Sequence, residues 1–558
     1  MLVEWKTITL LWPEVILVAA ASSIFVAGAF TRNRAWWALM AIVACLTAAG
    51  ALAAQGPPWD AAKAVFTGPV TFDPMSLGLR WLALVVGLVF ILIAARLAEP
   101  ELAGEFFGCI LLVAAGIMLA ASANELVLLF LGLELISIPT YVLLFLGRKD
   151  RASGEATMKY FFLSILSSAL LLYGFAFLYG LGKTTLIAGT PAMPGIREAL
   201  KHPRPLGEGR GEGASGSAAD SHPSPLPEGA GTSPLAPLAG LALALIAAGL
   251  GFKLAIVPLQ FYAPDVYQGT TNANAGLLAV APKIAGVAGF IRLVVVAMPG
   301  AADLAWQVAL VLAIVTMAIG NVCALWQKNV RRLMAYSSIA HGGYLLIGLA
   351  AAAAAASAGQ PTIRGGVTSM LFYVLVYSLA TMGTFAALSF LGSTRRDVSG
   401  VDELAGLARS QPLVAGALAV FMFSLAGLPP LAGFWGKLNL FGAAVQLATT
   451  DLKGGVPLCF AVLAVAGALN AAIAAAYYLR IVAVMYFQSA AQPAAAAGGR
   501  TAWLATVLCA LLVVGVGALP GRLMQAAVNS ESVLRPGIQT VQQRPPAPQI
   551  AATAAAPQ

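Results

Sequence analysis

Charge is what this 558-residue sequence lacks most. Asp, Glu, Lys and Arg make up 10% of it, against 60% apolar residues and a mean hydropathy of +0.86. A soluble globular chain carries roughly 25% charged residues, so a cytosolic enzyme, a disordered chain and a nucleic-acid binder are all excluded. Histidine is nearly as scarce: His202 and His222 lie in a polar linker, and only His341 lies in an apolar segment. The paired axial histidines of a b-type haem are therefore missing. The five cysteines, Cys45, Cys109, Cys323, Cys459 and Cys509, each stand alone in an apolar run. None has the short spacing of an iron–sulfur or zinc site, and helix packing accounts for them. No glycine-rich fingerprint follows a strand-like run, so no dinucleotide site is expected. These absences predict a chain without cofactor or metal, whose redox centres, if it serves any, are elsewhere.

What the sequence has is apolar length. About 20 consecutive apolar residues cross a bilayer, and fourteen such spans can be counted, near 8–30, 35–54, 75–96, 103–122, 124–147, 156–181, 236–265, 273–298, 302–325, 330–353, 366–393, 411–447, 455–487 and 500–522. The first carries Glu14 and is too long and too weakly basic at its start for a cleaved signal peptide. The fold class is thus an all-α polytopic membrane protein with about 14 transmembrane helices. Lys and Arg outnumber Asp and Glu by 32 to 23, and their positions orient the chain. Short loops after odd-numbered spans hold Arg32, Arg34, Arg96, Arg148, Lys149, Arg151, Lys328, Arg331, Arg332, Arg395, Arg396, Arg409 and Arg500; those after even-numbered spans hold only Lys63, Arg364 and Lys453. Basic loops stay cytoplasmic, which predicts that both termini face outward.

Residues 183–235 interrupt this pattern with a stretch rich in Gly, Pro and Ser, and the tail from about 540 is similar. Neither can bury enough apolar surface to fold, so a flexible insertion and a disordered tail (540–558) are expected. Two spans are broken by proline. Span seven reads GFKLAIVPLQFYAPDVYQG, with Pro258 and Pro264; span twelve reads FSLAGLPPLAGFWGKLNLF, with Pro429 and Pro430. Proline removes a backbone donor and clashes with the preceding turn, and unwound backbone at membrane depth survives only where protein or a wet cavity covers it. Breaks at matching places point to an internal repeat around an ion site. The expected organisation is N-terminal helices 1–3 (1–102), a first repeat of helices 4–8 (103–298), a second of helices 9–13 (299–487), and a C-terminal helix 14 (488–539). Five helices is an odd number, so the second repeat is inverted relative to the first.

A charge at the bilayer centre is unfavourable by roughly 2.5–3.5 kcal/mol on insertion scales, yet several are present. Glu134 lies midway along span five, Lys253 just before the break in span seven, Lys283 in span eight and Lys437 just after the break in span twelve. Lys159, Arg80, Arg292 and Arg480 lie nearer span ends and read as snorkelling or structurally paired cations. Three mid-span lysines with a mid-span glutamate read instead as an ion path. Desolvation and neighbouring like charges loosen an ammonium's hold on its proton, and Glu134 is the expected partner of Lys253. His341, offset along the sequence from these, is open to two readings, a proton relay or a buried histidine bonded to hydroxyls. Asp265 reads as a loop or capping residue.

The strings LGLELISIPTYVLLF, EATMKYFFLSILSSALLLYG, GFKLAIVPLQFYAPDVYQG, APKIAGVAGFIRL, NVRRLMAYSSIAHGGYLLIGL and SLAGLPPLAGFWGKL resemble the antiporter-like membrane subunits of respiratory complex I. PDVYQG points to the subunit N branch over its sisters L and M. The resemblance covers roughly residues 8–490 outside the insertion. It implies two inverted five-helix repeats, broken helices seven and twelve, and a polar axis on which Glu134, Lys253, Lys283 and Lys437 match the family's charged positions. It also implies a proton-translocating subunit of NADH:quinone oxidoreductase in a bacterial inner membrane, with both termini in the periplasm and the other complex I subunits and the lipid bilayer as partners. FMN and iron–sulfur clusters would sit on partner subunits, with NADH and quinone as substrates of the complex. The chain departs from the family at Leu259-Gln260, where Phe-His is usual, and at Thr271–Asn274, which replaces a stretch usually holding two prolines. The rival reading is a subunit of a cation/proton antiporter or a membrane-bound hydrogenase, which uses the same bundle and lysines.

Overall fold

The structure, a computed structural model, describes residues 5–56, 65–190, 193–201, 236–360, 363–392, 398–452, 454–489 and 496–534. Lys63, Arg395, Arg396 and Lys453 of the orientation argument lie outside the described residues, as do the tail and residues 202–235 of the insertion. Among the described residues, twelve helices are long and apolar enough to cross a membrane, and two shorter apolar helices, Trp12–Gly28 and Pro412–Ala426, join them. They fall in the fourteen segments read from the sequence.

We number them accordingly: α1 (Trp12–Gly28), α2 (Arg34–Ala54), α3 (Pro74–Leu97), α4 (Ala103–Ser122), α5 (Leu126–Gly147), α6 (Arg151–Gly182), α7a (Ala236–Leu254) with α7b (Tyr262–Gly269), α8 (Asn272–Phe290), α9 (Ala302–Leu325), α10 (Val330–Ser357), α11 (Gly366–Leu391), α12a (Pro412–Ala426) with α12b (Ala432–Thr449), α13 (Val456–Phe487), α14 (Gly499–Ala518) and α15 (Gly521–Leu534). Side chains that accept from backbone N–H groups start several of them: Asn33 for α2, Asp150 for α6, Thr271 for α8 and Asn329 for α10. Asp73 and Ser76 form a reciprocal capping box at α3, which supplies partners for first-turn donors that would otherwise be stranded.

Helices α8, α10 and α11 form the middle of the bundle. Every residue from Asn272 to Phe290 is buried, as is the π-helical continuation Ile291–Ala297. A helix apolar on nearly every face belongs in such a position, and its few polar side chains, Asn272, Asn274 and Lys283, are buried with it. By contrast α5, α6, α13 and α14 turn rows of large apolar side chains outward, among them Leu131, Ile138, Phe145, Phe162, Val465 and Leu511, as a bilayer requires.

One sequence expectation needs correcting. The insertion does not begin at 183, because residues 183–190 and 193–201 are built into the fold. The backbone N–H of Leu126 donates to Thr185 O and that of Ile187 to Asn124 O; the Asn124 side chain bridges Gly68 O and Ala188 O. Ile187 and Ile196 are fully buried, and a short helix, Ile196–Lys201, closes the segment. The apolar pair Leu186-Ile187 provides enough burial to hold a stretch that composition alone reads as loose.

Candidate functional site

Both broken helices end the same way. After Leu254, Ala255 adopts a left-handed conformation (φ 56°), and Ile256 N–H reaches back to Gly251 O at 3.0 Å. After Ala426, Gly427 is left-handed (φ 91°), and Leu428 N–H reaches back to Phe423 O at 3.0 Å. This is the six-to-one closure of a Schellman cap, repeated position for position. It leaves last-turn carbonyls within the protein, and a lysine meets each end. Lys283 Nζ, from α8, donates to Leu254 O; Lys437 Nζ, from α12b, donates to Ala426 O at 2.8 Å. A helix C-terminus carries partial negative charge, so each ammonium faces a fixed dipole without a carboxylate. Each also lies over a tyrosine ring: Lys283 at 5.9 Å from the Tyr377 centroid and Lys437 at 5.0 Å from that of Tyr344.

Lys253, next to the first cut end, points the other way. Its Nζ donates to Ser137 Oγ at 2.5 Å on α5 and to Ser164 Oγ at 3.5 Å on α6. Glu134, one turn before Ser137, accepts from Ser168 Oγ of α6. The expected direct pair of Glu134 with Lys253 is therefore not formed. Serine hydroxyls from α5 and α6 take up both groups instead. Glu134 is only half-buried and lies beside the outward-facing row of Leu131 and Ile138.

His341 is not offset in space. It lies on α10 with its ring packed against Tyr377, which lies under Lys283, and Tyr344, which lies under Lys437. Tyr373 Oη is 2.6 Å from its Nδ1 and Tyr478 Oη is 3.0 Å from its Nε2. Tyr478 also bonds Ser337, and Tyr377 Oη donates to Ala279 O at 3.2 Å and shares a hydrogen bond with Ser338 Oγ at 2.9 Å. Lys253, Lys283, His341 and Lys437 are 4%, 1%, 3% and 5% exposed. The structure thus gathers Lys253, Lys283, His341 and Lys437 into one buried row with the half-buried Glu134 at its outer end; serines bond Glu134 and Lys253, and tyrosines bond or pack against the other three.

Three other cations at membrane depth have fixed partners. Arg80 meets Glu14 at 2.7 Å, Arg292 meets Asp73 at 2.6 Å, and Arg480 donates to Leu325 O and Gln327 O at 2.6 Å. Asp265, in the first turn of α7b, is an ion-pair partner and not a cap. It binds Lys159 of α6 at 3.0 Å and Arg332 of α10 at 2.7 Å, tying the short half-helix to both neighbours. Sequence reasoning missed Ser164, Ser168, Tyr373, Tyr377 and Tyr478; the one signal was a run of hydroxyl residues in otherwise apolar helices. Among the described residues, no cluster of three or more His, Cys, Asp or Glu side chains is arranged to hold a metal ion.

The family model for the transmembrane part of NADH:quinone oxidoreductase and Mrp antiporters matches residues 123–200 and 228–486. The NADH-quinone oxidoreductase subunit N of Trichlorobacter lovleyi is 34% identical over 497 residues, 87% of this chain and 89% of that protein. The chain belongs to the subunit N family. A chain of respiratory complex I from Thermus thermophilus, solved with bound aureothin, is 29% identical with a TM-score of 0.70, covering 93% of this chain and 99% of that one. A chain of the Mrp complex from Dietzia sp. superposes with a TM-score of 0.75 over 95% of this chain and 98% of that one. At 18% identity, that likeness speaks for the fold. The family match begins just before α5 and ends with α13, so it contains the whole buried row.

Proposed function

We propose that this chain is a proton-translocating membrane subunit of NADH:quinone oxidoreductase. It couples electron transfer from NADH to quinone, carried by FMN and iron–sulfur clusters on partner subunits, to proton movement across a bacterial inner membrane. The observation that carries this reading is the seating of Lys283 and Lys437 at matching cut helix ends, each over a tyrosine ring, Tyr377 and Tyr344, that packs against His341. A lysine that holds and releases a proton needs a fixed partner for its charged form, and the cut helix ends supply one to each.

The twelve long helices and the two shorter apolar ones count as fourteen crossings, with both termini periplasmic. Helices four to eight and nine to thirteen form two inverted repeats, a reading supported by the identical caps at residues 251–256 and 423–428. Protons enter from the cytoplasm, reside on Lys283 and Lys437, and leave outward. The gap between Glu134 and Lys253, filled by Ser137, Ser164 and Ser168, is the adjustable element. Two unit charges about 8 Å apart interact by roughly 2 kcal/mol at an effective dielectric of 20, so closing or opening that gap is felt along the row. Glu134, half-exposed on the outward face of α5, also faces the neighbouring membrane subunit.

The test is NADH-driven proton uptake by membranes carrying Lys253→Ala or Lys437→Ala. Most pumping is expected to be lost while the complex still assembles, as judged by its intact mass. Unchanged pumping in both variants would overturn the proposal.

A further inference from the structure

Away from the buried row, an apolar cavity of about 360 Å³ opens between α3, α11, α14 and α15, lined by Gly78, Trp81, Val85, Leu379, Leu512 and Leu523 among others. A second, of about 660 Å³, shares Leu512, Val516, Leu523 and Ala526 with it and adds Gly515 and Arg522. The two form one groove. Its roof is the amphipathic α15, which turns Arg522 and Gln525 outward and packs Ala527 and Ser530 inward. Glu531, the carboxylate nearest along α15, is buried and accepts from Thr368 N, Thr368 Oγ1 and Gly365 N at the start of α11, so it does not offset the positive mouth.

The depth of the groove follows from helix geometry. Val85 lies eleven residues into α3 and Leu379 thirteen into α11, which at 1.5 Å per residue is about 16–20 Å below the membrane surface on which α15 lies. Half of a hydrocarbon core about 30 Å thick is about 15 Å. The groove therefore spans one leaflet, with a cation at headgroup level. Its walls are also open by construction. At both Gly78 and Gly515 an added Cβ would meet nothing within 4 Å, so two helices present backbone where side chains would fit.

We infer that this groove holds one acyl chain of an anionic glycerophospholipid whose phosphate sits at Arg522. A neighbouring helix would leave the arginine without a counter-ion, whereas a lipid supplies both an apolar tail of one-leaflet length and a negative headgroup. The inference uses only the membrane setting and is independent of how protons move.

The experiment purifies the chain from its native membrane with its bound subunits and reconstitutes it into phosphatidylcholine vesicles. A trace of photoactivatable phosphatidylglycerol or photoactivatable phosphatidylcholine is added, and labelled peptides are mapped. The expected result is labelling of 78–85, 511–516 and 523–527 by phosphatidylglycerol about fivefold above phosphatidylcholine, the preference that one basic residue gives near a surface. Arg522→Gln brings the two probes level. Gly78→Leu and Gly515→Leu, each tested because either alone could disturb packing, remove the label and leave the complex assembled. Equal labelling by both probes in every variant would mean annular lipid only and would overturn the inference. So would an unlabelled groove cross-linked to another subunit.

Discussion

The two cut helix ends share a backbone but differ in what surrounds them. At Ala426 the capping lysine, Lys437, comes from the second half of the same broken helix, and the left-handed residue is glycine. At Leu254 the capping lysine, Lys283, comes from the next helix, the left-handed residue is Ala255, and a further lysine, Lys253, stands beside the cut end. The position matching Lys253 in the second end is Leu425. One end is thus a simple seat for a cation, the other a seat plus a second cation aimed at serines. The lesson is that the backbone device is common to both, while the side chains around it decide whether the end seats one cation or also places a second one toward the serines beside Glu134.

Removing a capping lysine should have the largest effect. Lys283→Met keeps length and volume but leaves Leu254 O without its partner, and NADH-driven proton uptake should fall at least about tenfold, a change of roughly 1.4 kcal/mol in the relevant barrier. If the ends were structural only, uptake would be retained. Next comes Gly427→Ala. A left-handed alanine is unfavourable by roughly 1–2 kcal/mol, and its Cβ would lie 2.8 Å from Lys437 Cδ. Uptake should drop several-fold and the thermal midpoint of the purified assembly should fall.

The serines separate the ends further. A hydrogen bond to a charged group contributes about 1.5–3 kcal/mol, so Ser137→Ala, which removes the 2.5 Å contact, should impair uptake more than Ser164→Ala, which removes the 3.5 Å one. The reverse order would mean that Lys253 works through α6 and not α5. The smallest effect is expected from Ala255→Gly. Relief of the left-handed alanine should stabilise the fold slightly, by about 1 kcal/mol or less, seen as a small rise in the thermal midpoint, with uptake unchanged. A loss of uptake would show that the strained backbone itself is used.

Much of this was legible in the sequence, for physical reasons. Apolar length marks spans, proline marks breaks, and a lysine at membrane depth is conspicuous because nothing cheap places it there. Glu134, Lys253, Lys283, His341 and Lys437 were all found in this way. Their partners were not. Ser137 and Ser164 look like small packing residues on helices, and Tyr373 and Tyr478 look like core aromatics, since an apolar window hides a hydroxyl. The carbonyls of Leu254 and Ala426 have no sequence signal beyond the nearby prolines. The serine layer between Glu134 and Lys253 could not be anticipated either, because charge complementarity argues for contact and says nothing about what packing inserts. Asp265 looked like a cap because its first-turn position is typical of one; its two cationic partners lie 106 and 67 residues away.

The buried pair of Asp73 with Arg292 also fixes an order of events during synthesis. The two residues are 219 positions apart, so at about 5–20 residues per second a ribosome delivers the arginine roughly 10–45 s after the aspartate. Glu14 waits a far shorter stretch of 66 residues for Arg80. The ion pair at the start of α3 therefore stays open while α4 to α7 are inserted, although Asn124 can already bind Gly68 and Pro69, and it closes only when the far end of α8 emerges. A nascent chain halted before residue 292 would hold its first helices in the bilayer with that joint still open, a state that protease accessibility at the start of α3 would report.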